Sequence, residues 1–158
     1  MAIAIGTNAP SFRLFNTERK EVTLNDFSGK ILVINFFPAA FTSVCTKQVC
    51  TNRDELNFYN EINVVVIGIS VDMPFSLKAF KEKHNINYEL LSDFNKLTIH
   101  EYEMYHCNFI MGMKGVAKRG VVVVDKNGVV AYSEETANIS VQVDFDKLKE
   151  ELKKLSLG

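Results

Sequence analysis

Ile31-Leu32-Val33-Ile34-Asn35-Phe36-Phe37 is a nearly continuous apolar run of strand length, stopped by Pro38. A strand with almost no polar alternation is buried on both faces, which places it inside a sheet covered by helices rather than in a half-exposed ribbon. Two further runs repeat the signal, at residues 63–70 and 120–124. Between the first two, Val44, Val49, Leu56 and Tyr59 are spaced among polar residues, with Thr42 or Ser43 available as N-cap, so the spacing predicts one helix over 43–60. Pro74 suits a first helical position and opens a helix to about residue 84, and a third strand follows at 88–91. The order β, α, β, α, β implies a parallel core sheet.

The flanks complete the pattern. Phe12, Leu14 and Phe15, then the polar turn at 16–20, then Val22, Leu24 and Phe27 suggest a short N-terminal hairpin. Residues 95–105 read as helical and the stretch around Gly112 and Gly115 as loop. Asp125-Lys126-Asn127-Gly128 predicts a hairpin with a two-residue turn, returning an antiparallel strand at 129–133. Phe145, Leu148, Leu152 and Leu155 close the chain as an amphipathic helix. The expected fold class is therefore α/β, a thioredoxin-like arrangement with a central mixed sheet flanked by helices and an N-terminal hairpin, in a single domain over 1–158.

Charge and composition exclude several functions. Eighteen Lys+Arg against nineteen Asp+Glu give a net charge of −1, with no positive field to hold nucleic acid or an anionic membrane surface. The opening MAIAIGTNAPSF has neither a basic segment nor a sustained apolar stretch, and no later run nears the ~20 residues that span a bilayer, so a cytoplasmic location is expected. Three cysteines are too few and too odd for a disulfide framework, which makes thiol reactivity or metal binding the chemistry to examine.

Cys45 falls in the first turn of the helix that follows a buried strand, where unpaired backbone N–H groups and the helix dipole favour an anion and hence the nucleophilic thiolate. A small buried thiol with no chemistry is the plainer alternative for that position. Cys50, five residues on, makes a redox pair the better reading. In an intact helix that spacing gives a rise of ~7.5 Å and a large turn about the axis, beyond the ~4.4–6.8 Å a disulfide tolerates, so a Cys45–Cys50 bond requires local unwinding. A zinc site built from Cys45, Cys50, Cys107 and His106 or His100 is the metal alternative, although its spacings are not those of structural zinc sites. Cys107 beside His106 reads as an ordinary thiol.

Phe36-Phe37-Pro38-Ala39-Ala40-Phe41-Thr42-Ser43-Val44-Cys45 resembles the peroxiredoxin signature P-x-x-x-T-x-x-C. Gln48 stands where that family has Glu or Gln, and Arg119 precedes the strand leading to Asp125-Lys126-Asn127-Gly128, as the family arginine does. Asp72-Met73-Pro74-Phe75 and Leu90-Leu91-Ser92-Asp93 look like the bacterial thiol peroxidase group, but Lys81 stands where its resolving cysteine would fall. The Cys45-x4-Cys50 spacing is similar instead to the bacterioferritin comigratory protein group. No late Val-Cys-Pro motif follows the terminal hairpin.

The resemblance implies an atypical two-cysteine peroxidase acting on hydrogen peroxide and organic hydroperoxides. Cys45 would be the peroxidatic thiol and Cys50 the resolving one, in an intramolecular disulfide reduced by a thioredoxin- or glutaredoxin-like protein. Pro38 would shield Cys45 from water, Thr42 would offer its hydroxyl to thiolate and peroxide, Arg119 would favour the thiolate and align the peroxide, and Gln48 would hold Arg119. No metal or organic cofactor is implied, and the protein would be a monomer or homodimer. A thiol–disulfide oxidoreductase of the same fold, without peroxidase activity, is the competing enzyme reading.

Overall fold

A computed structural model describes residues 2–157. β3 (Ile31–Phe36) lies near the middle of a seven-stranded sheet ordered β2-β1-β5-β4-β3-β8-β9, in which β1 is Arg13–Asn16, β2 Glu21–Thr23, β4 Val64–Ser70, β5 Glu89–Ser92, β8 Gly120–Val124 and β9 Val130–Glu135. β3, β4 and β5 are parallel, Ile31 facing Val64 and Ile67 facing Glu89. β8 runs antiparallel to β3, with β9 outside it, while β1 and β2 form the N-terminal hairpin at the other edge. The mixed sheet expected from the run pattern is present.

All six residues of β3 are buried, and alternate side chains enter two different cores. Ile31 and Val33 join Cys45, Val49, Tyr59, Leu77, Phe80, Leu148 and Leu152. These come from α1 (Ser43–Asp54), α2 (Leu56–Glu61), α3 (Pro74–Lys83) and α5 (Phe145–Ser156), which cover one face. Leu32, Ile34 and Phe36 pack on the other side against Phe12, Ile99, Tyr102 and Met104, around the short α4 (Leu97–Glu101). Strand alternation on a doubly covered sheet thus divides one apolar run between two helix layers. Among the described residues no helix is long and apolar enough to cross a membrane.

Three local expectations are corrected. The helix expected over 43–60 is two helices, because Glu55 leaves helical geometry with φ −93° and ψ 6°. Tertiary hydrogen bonds gather at that joint: the Arg53 Nη1 donates to the His84 carbonyl at 2.6 Å, and the Asn87 amide donates to the Arg53 carbonyl at 3.4 Å. The helix expected over 95–105 shrinks to α4, bounded by Lys96 and Glu103, both in the left-handed region with φ 67° and 57°. Asp93 caps its start, accepting from the Thr98 and Ile99 amides. Beyond it β6 (Tyr105–His106) pairs with β7 (Val116–Ala117). The terminal hairpin is closed by three residues rather than two, since Asp125 N–H donates to the Val129 carbonyl and only Gly128 takes positive φ, 80°. A single left-handed glycine after a type I turn is the three-residue solution, and Asp125 Oδ1 secures it by accepting from the Asn127 and Val129 amides.

Candidate functional site

The loop from β3 to α1 is built to bring Cys45 under the sheet's C-terminal edge. Phe37 N–H continues the ladder to the Ile69 carbonyl, Pro38 then ends it and is itself buried, and Phe41 adopts a left-handed φ of 69° that turns the chain into the helix. A side chain from β4's end fixes this path. Asp72 Oδ2 accepts both the Ala40 amide at 2.9 Å and the Ser70 hydroxyl at 2.7 Å. The Phe41 ring lies edge-on to Phe80, with centroids 5.2 Å apart.

Thr42 occupies the N-cap position of α1, but its side chain makes no capping bond. Its hydroxyl donates back to the Ala39 carbonyl at 2.8 Å, so the proton is committed to the loop and the oxygen lone pairs are left as acceptors. The Thr42 carbonyl does the work at the helix start, accepting from the Thr46 amide and hydroxyl.

Cys45 is 1% exposed in the first turn. Arg119, 3% exposed and just ahead of β8, donates through Nη1 to the Cys45 Sγ at 3.1 Å and to Gln48 Oε1 at 2.9 Å, and through Nη2 to the Ile139 carbonyl at 2.9 Å. Gln48 is fixed in turn, its Nε2 donating to the Phe36 carbonyl at 3.2 Å. No carboxylate among the described residues forms an ion pair with Arg119. The other acceptors of this buried guanidinium are neutral carbonyl oxygens, so its positive charge is held directly against the Cys45 sulfur. The helix N-terminus acts in the same direction.

Cys50 lies on the same helix and is not brought to Cys45. It is half-buried, packs beside the core that contains Cys45, and burial pushes its thiol up, a shift that Arg53 opposes and Asp54 reinforces. Cys107, exposed, follows β6. Among the described residues no three His, Cys, Asp or Glu side chains gather into a metal site, and the set considered for zinc does not converge.

The structure thus places Cys45, Gln48 and Arg119 in one hydrogen-bonded cluster, Pro38 and Thr42 in the loop that delivers it, and Cys50 apart. Sequence reading did not single out Asp72 as the anchor of that loop, nor Gln142, whose Nε2 donates to the Val44 carbonyl at 2.9 Å, nor the Ile139 carbonyl. For Asp72 a signal existed in its place directly after a buried strand. For the other two, on the segment between β9 and α5, none did.

In sequence and in fold the chain is similar to known proteins. Residues 5–133 match the AhpC/TSA family model. A Haemophilus influenzae protein named as peroxiredoxin bcp is 44% identical over 91 residues, 58% of this chain and 59% of that protein. A Mycobacterium tuberculosis protein named as a peroxiredoxin is 32% identical over 149 residues, 93% of each chain. The crystal structure of the peroxidoxin BcpB from Mycobacterium tuberculosis superposes with a TM-score of 0.85 at 25% identity, covering 97% of this chain and 98% of that one. The match to the Haemophilus protein thus spans under two thirds of that relative's length.

Proposed function

The chain belongs to the AhpC/TSA family, and on that premise we propose that it is a thiol-dependent peroxidase in which Cys45 reduces hydrogen peroxide and organic hydroperoxides. The observation that carries this reading is the Arg119 Nη1 3.1 Å from the Cys45 sulfur, inside a buried first turn. A cation fixed there lowers the energy of the thiolate and of the negative charge that develops on the departing oxygen.

The Cys45 thiolate attacks one oxygen of the hydroperoxide. An S–O bond forms, the O–O bond breaks, and the departing oxygen takes a proton to leave as water or alcohol, with Cys45 oxidised to sulfenic acid. Thr42 Oγ1, its own proton held by Ala39, is free to accept the hydrogen bond of the incoming hydroperoxide. Pro38 limits water at the sulfur, and Gln48 keeps Arg119 aimed. Cys50 then attacks the Cys45 sulfur, an S–S bond forms as the S–O bond breaks, and hydroxide leaves to become water. A thioredoxin- or glutaredoxin-like dithiol protein reduces the disulfide by exchange. Residues 1–158 act as one domain, these groups lying on α1, on the loop before it and at the approach to β8 around a single sheet, and no resident cofactor is required.

The test is stopped-flow mixing of reduced protein with hydrogen peroxide, with intact mass before and after one equivalent. Rapid consumption of one equivalent and loss of two hydrogens as the disulfide forms are expected. Peroxide loss no faster than with free cysteine would refute the reading.

A further inference from the structure

Opening of α1 is the step that lets Cys45 meet Cys50, and the hydrogen bonds of the helix show which part of it is free to move. Its second half is tied from the body of the protein. Tyr88 donates to the Val49 carbonyl at 2.7 Å, and Tyr59 donates to Asn52 Oδ1 at 3.1 Å. Cys50 lies between those ties. The first turn, 43–47, must therefore lift, and two side chains hold it: Arg119 through the Cys45 sulfur, and Gln142 through the Val44 carbonyl. They differ in how they respond to the chemistry. Oxidation of the thiolate to a neutral sulfenic acid removes the charge that Arg119 pairs with, whereas the bond from Gln142 to a backbone carbonyl is indifferent to the state of the sulfur.

The segment that carries Gln142 is shaped to hold it. Between β9 and α5 the chain turns on itself, Ser140 N–H donating to Asn138 Oδ1 and Val141 N–H to the Asn138 carbonyl, and it closes where Asp144 N–H donates to Glu134 Oε2. The Ile139 carbonyl binds Arg119, and Val143, 3% exposed, enters the core that contains Cys45. The Gln142 Oε1 is buried without a partner, so the amide is anchored by its NH₂ alone and one bond has to break for release. From this geometry, and resting on the assignment of Cys50 as resolving thiol, we propose that Gln142 is a positioning residue. It latches the first turn of α1 after Cys45 has been oxidised, and so sets how the sulfenic acid divides between disulfide and further oxidation to sulfinic acid.

Gln142→Ala removes the tie. One net hydrogen bond corresponds to about a fivefold change in an opening equilibrium. Amide exchange across 43–48 in the reduced variant is expected to be about fivefold faster, with strand β4 unchanged. Under a fixed excess of hydrogen peroxide, the ratio of Cys45–Cys50 disulfide to Cys45 sulfinic acid, read by peptide mass, is expected to rise by a similar factor. Ser140→Ala, an exposed change in the same segment that leaves α1 untouched, is expected to shift neither readout and separates the latch from general loosening. Failure of either change in Gln142→Ala, or an equal response in Ser140→Ala, overturns the latch. Absence of a Cys45–Cys50 disulfide in the unaltered protein refutes the resolving role instead, and the exchange arm still decides whether Gln142 holds the helix.

Discussion

At the first turn of α1 the Cys45 sulfur is buried with a guanidinium nitrogen 3.1 Å away, while about a turn and a half further on Cys50 is half-buried and its thiol is pushed up by burial. Both thiols belong to one helix and one core. Local surroundings, not residue type, separate them: the first has a fixed cation and the helix N-terminus to stabilise negative charge, and the second has apolar contact and a net preference for the protonated form. On the proposed assignment of Cys45 as nucleophile and Cys50 as its trap, one helix stores both side by side, kept from reacting together until the backbone between them opens.

The largest expected effect comes from removing the charged end of this contrast. Cys45→Ser should slow peroxide consumption by more than about 10³-fold, because a serine hydroxyl there stays protonated and forms no sulfenic analogue. Stopped-flow rates decide it. Arg119→Met leaves the sulfur but takes away its cation, and should slow the peroxide step by about 10²-fold, the scale for loss of one preorganised donor. Thiolate ultraviolet absorbance, compared at neutral pH in the two proteins, should fall in the variant. Matching rates and matching absorbance would make Arg119 a bystander.

Changes at the other end should act later in the cycle. Cys50→Ser is expected to consume one equivalent at the wild-type rate, form no intramolecular disulfide, and gain two oxygens by mass when peroxide is in excess. The pH dependence of disulfide formation sharpens the same point. In the folded helix the Cys50 thiol is held above its ordinary value, so its protonation favours the closed helix at neutral pH and that preference fades as pH rises through the raised value. Alkaline pH thus both frees the helix and ionises the attacking thiol. Single-turnover disulfide formation should accelerate up to roughly tenfold per pH unit and still be rising above about 8.5, the usual thiol value. A rate flat between neutrality and that point would show that Cys50 ionisation does not limit resolution. The smallest effect is reserved for an anchor: Tyr88→Phe removes the bond to the Val49 carbonyl, and should lower the melting temperature by about 2–4 °C without affecting the peroxide step.

The parts of the molecule legible from sequence were those written in short-range pattern. Apolar runs located β3, β4 and β8, Pro74 opened α3, and the position of Cys45 after a buried strand placed it at a helix start. Arg119 and Gln48 are legible only through a family pattern, since an arginine before a strand and a glutamine on a helix are ordinary surface residues when taken alone. What escaped depends on partners distant in the chain. The break at Glu55 lies beside contacts of Arg53 with residues 84 and 87, and Gln142 meets Val44 across 98 positions. The shortening of α4 and the β6–β7 pair follow from left-handed backbone at Lys96 and Glu103, residues whose identity does not announce it.

The division of labour within α1 is tested most directly by peptide mapping of reduced protein quenched at intervals after one equivalent of hydrogen peroxide, with a sulfenic-acid trap in the quench. The trap should label Cys45 alone at early times, and that label should give way to a Cys45–Cys50 linkage while Cys107 stays reduced. Early label on Cys50 or Cys107, or a Cys45–Cys107 linkage at late times, would contradict the assignment of the two thiols of α1 as nucleophile and trap.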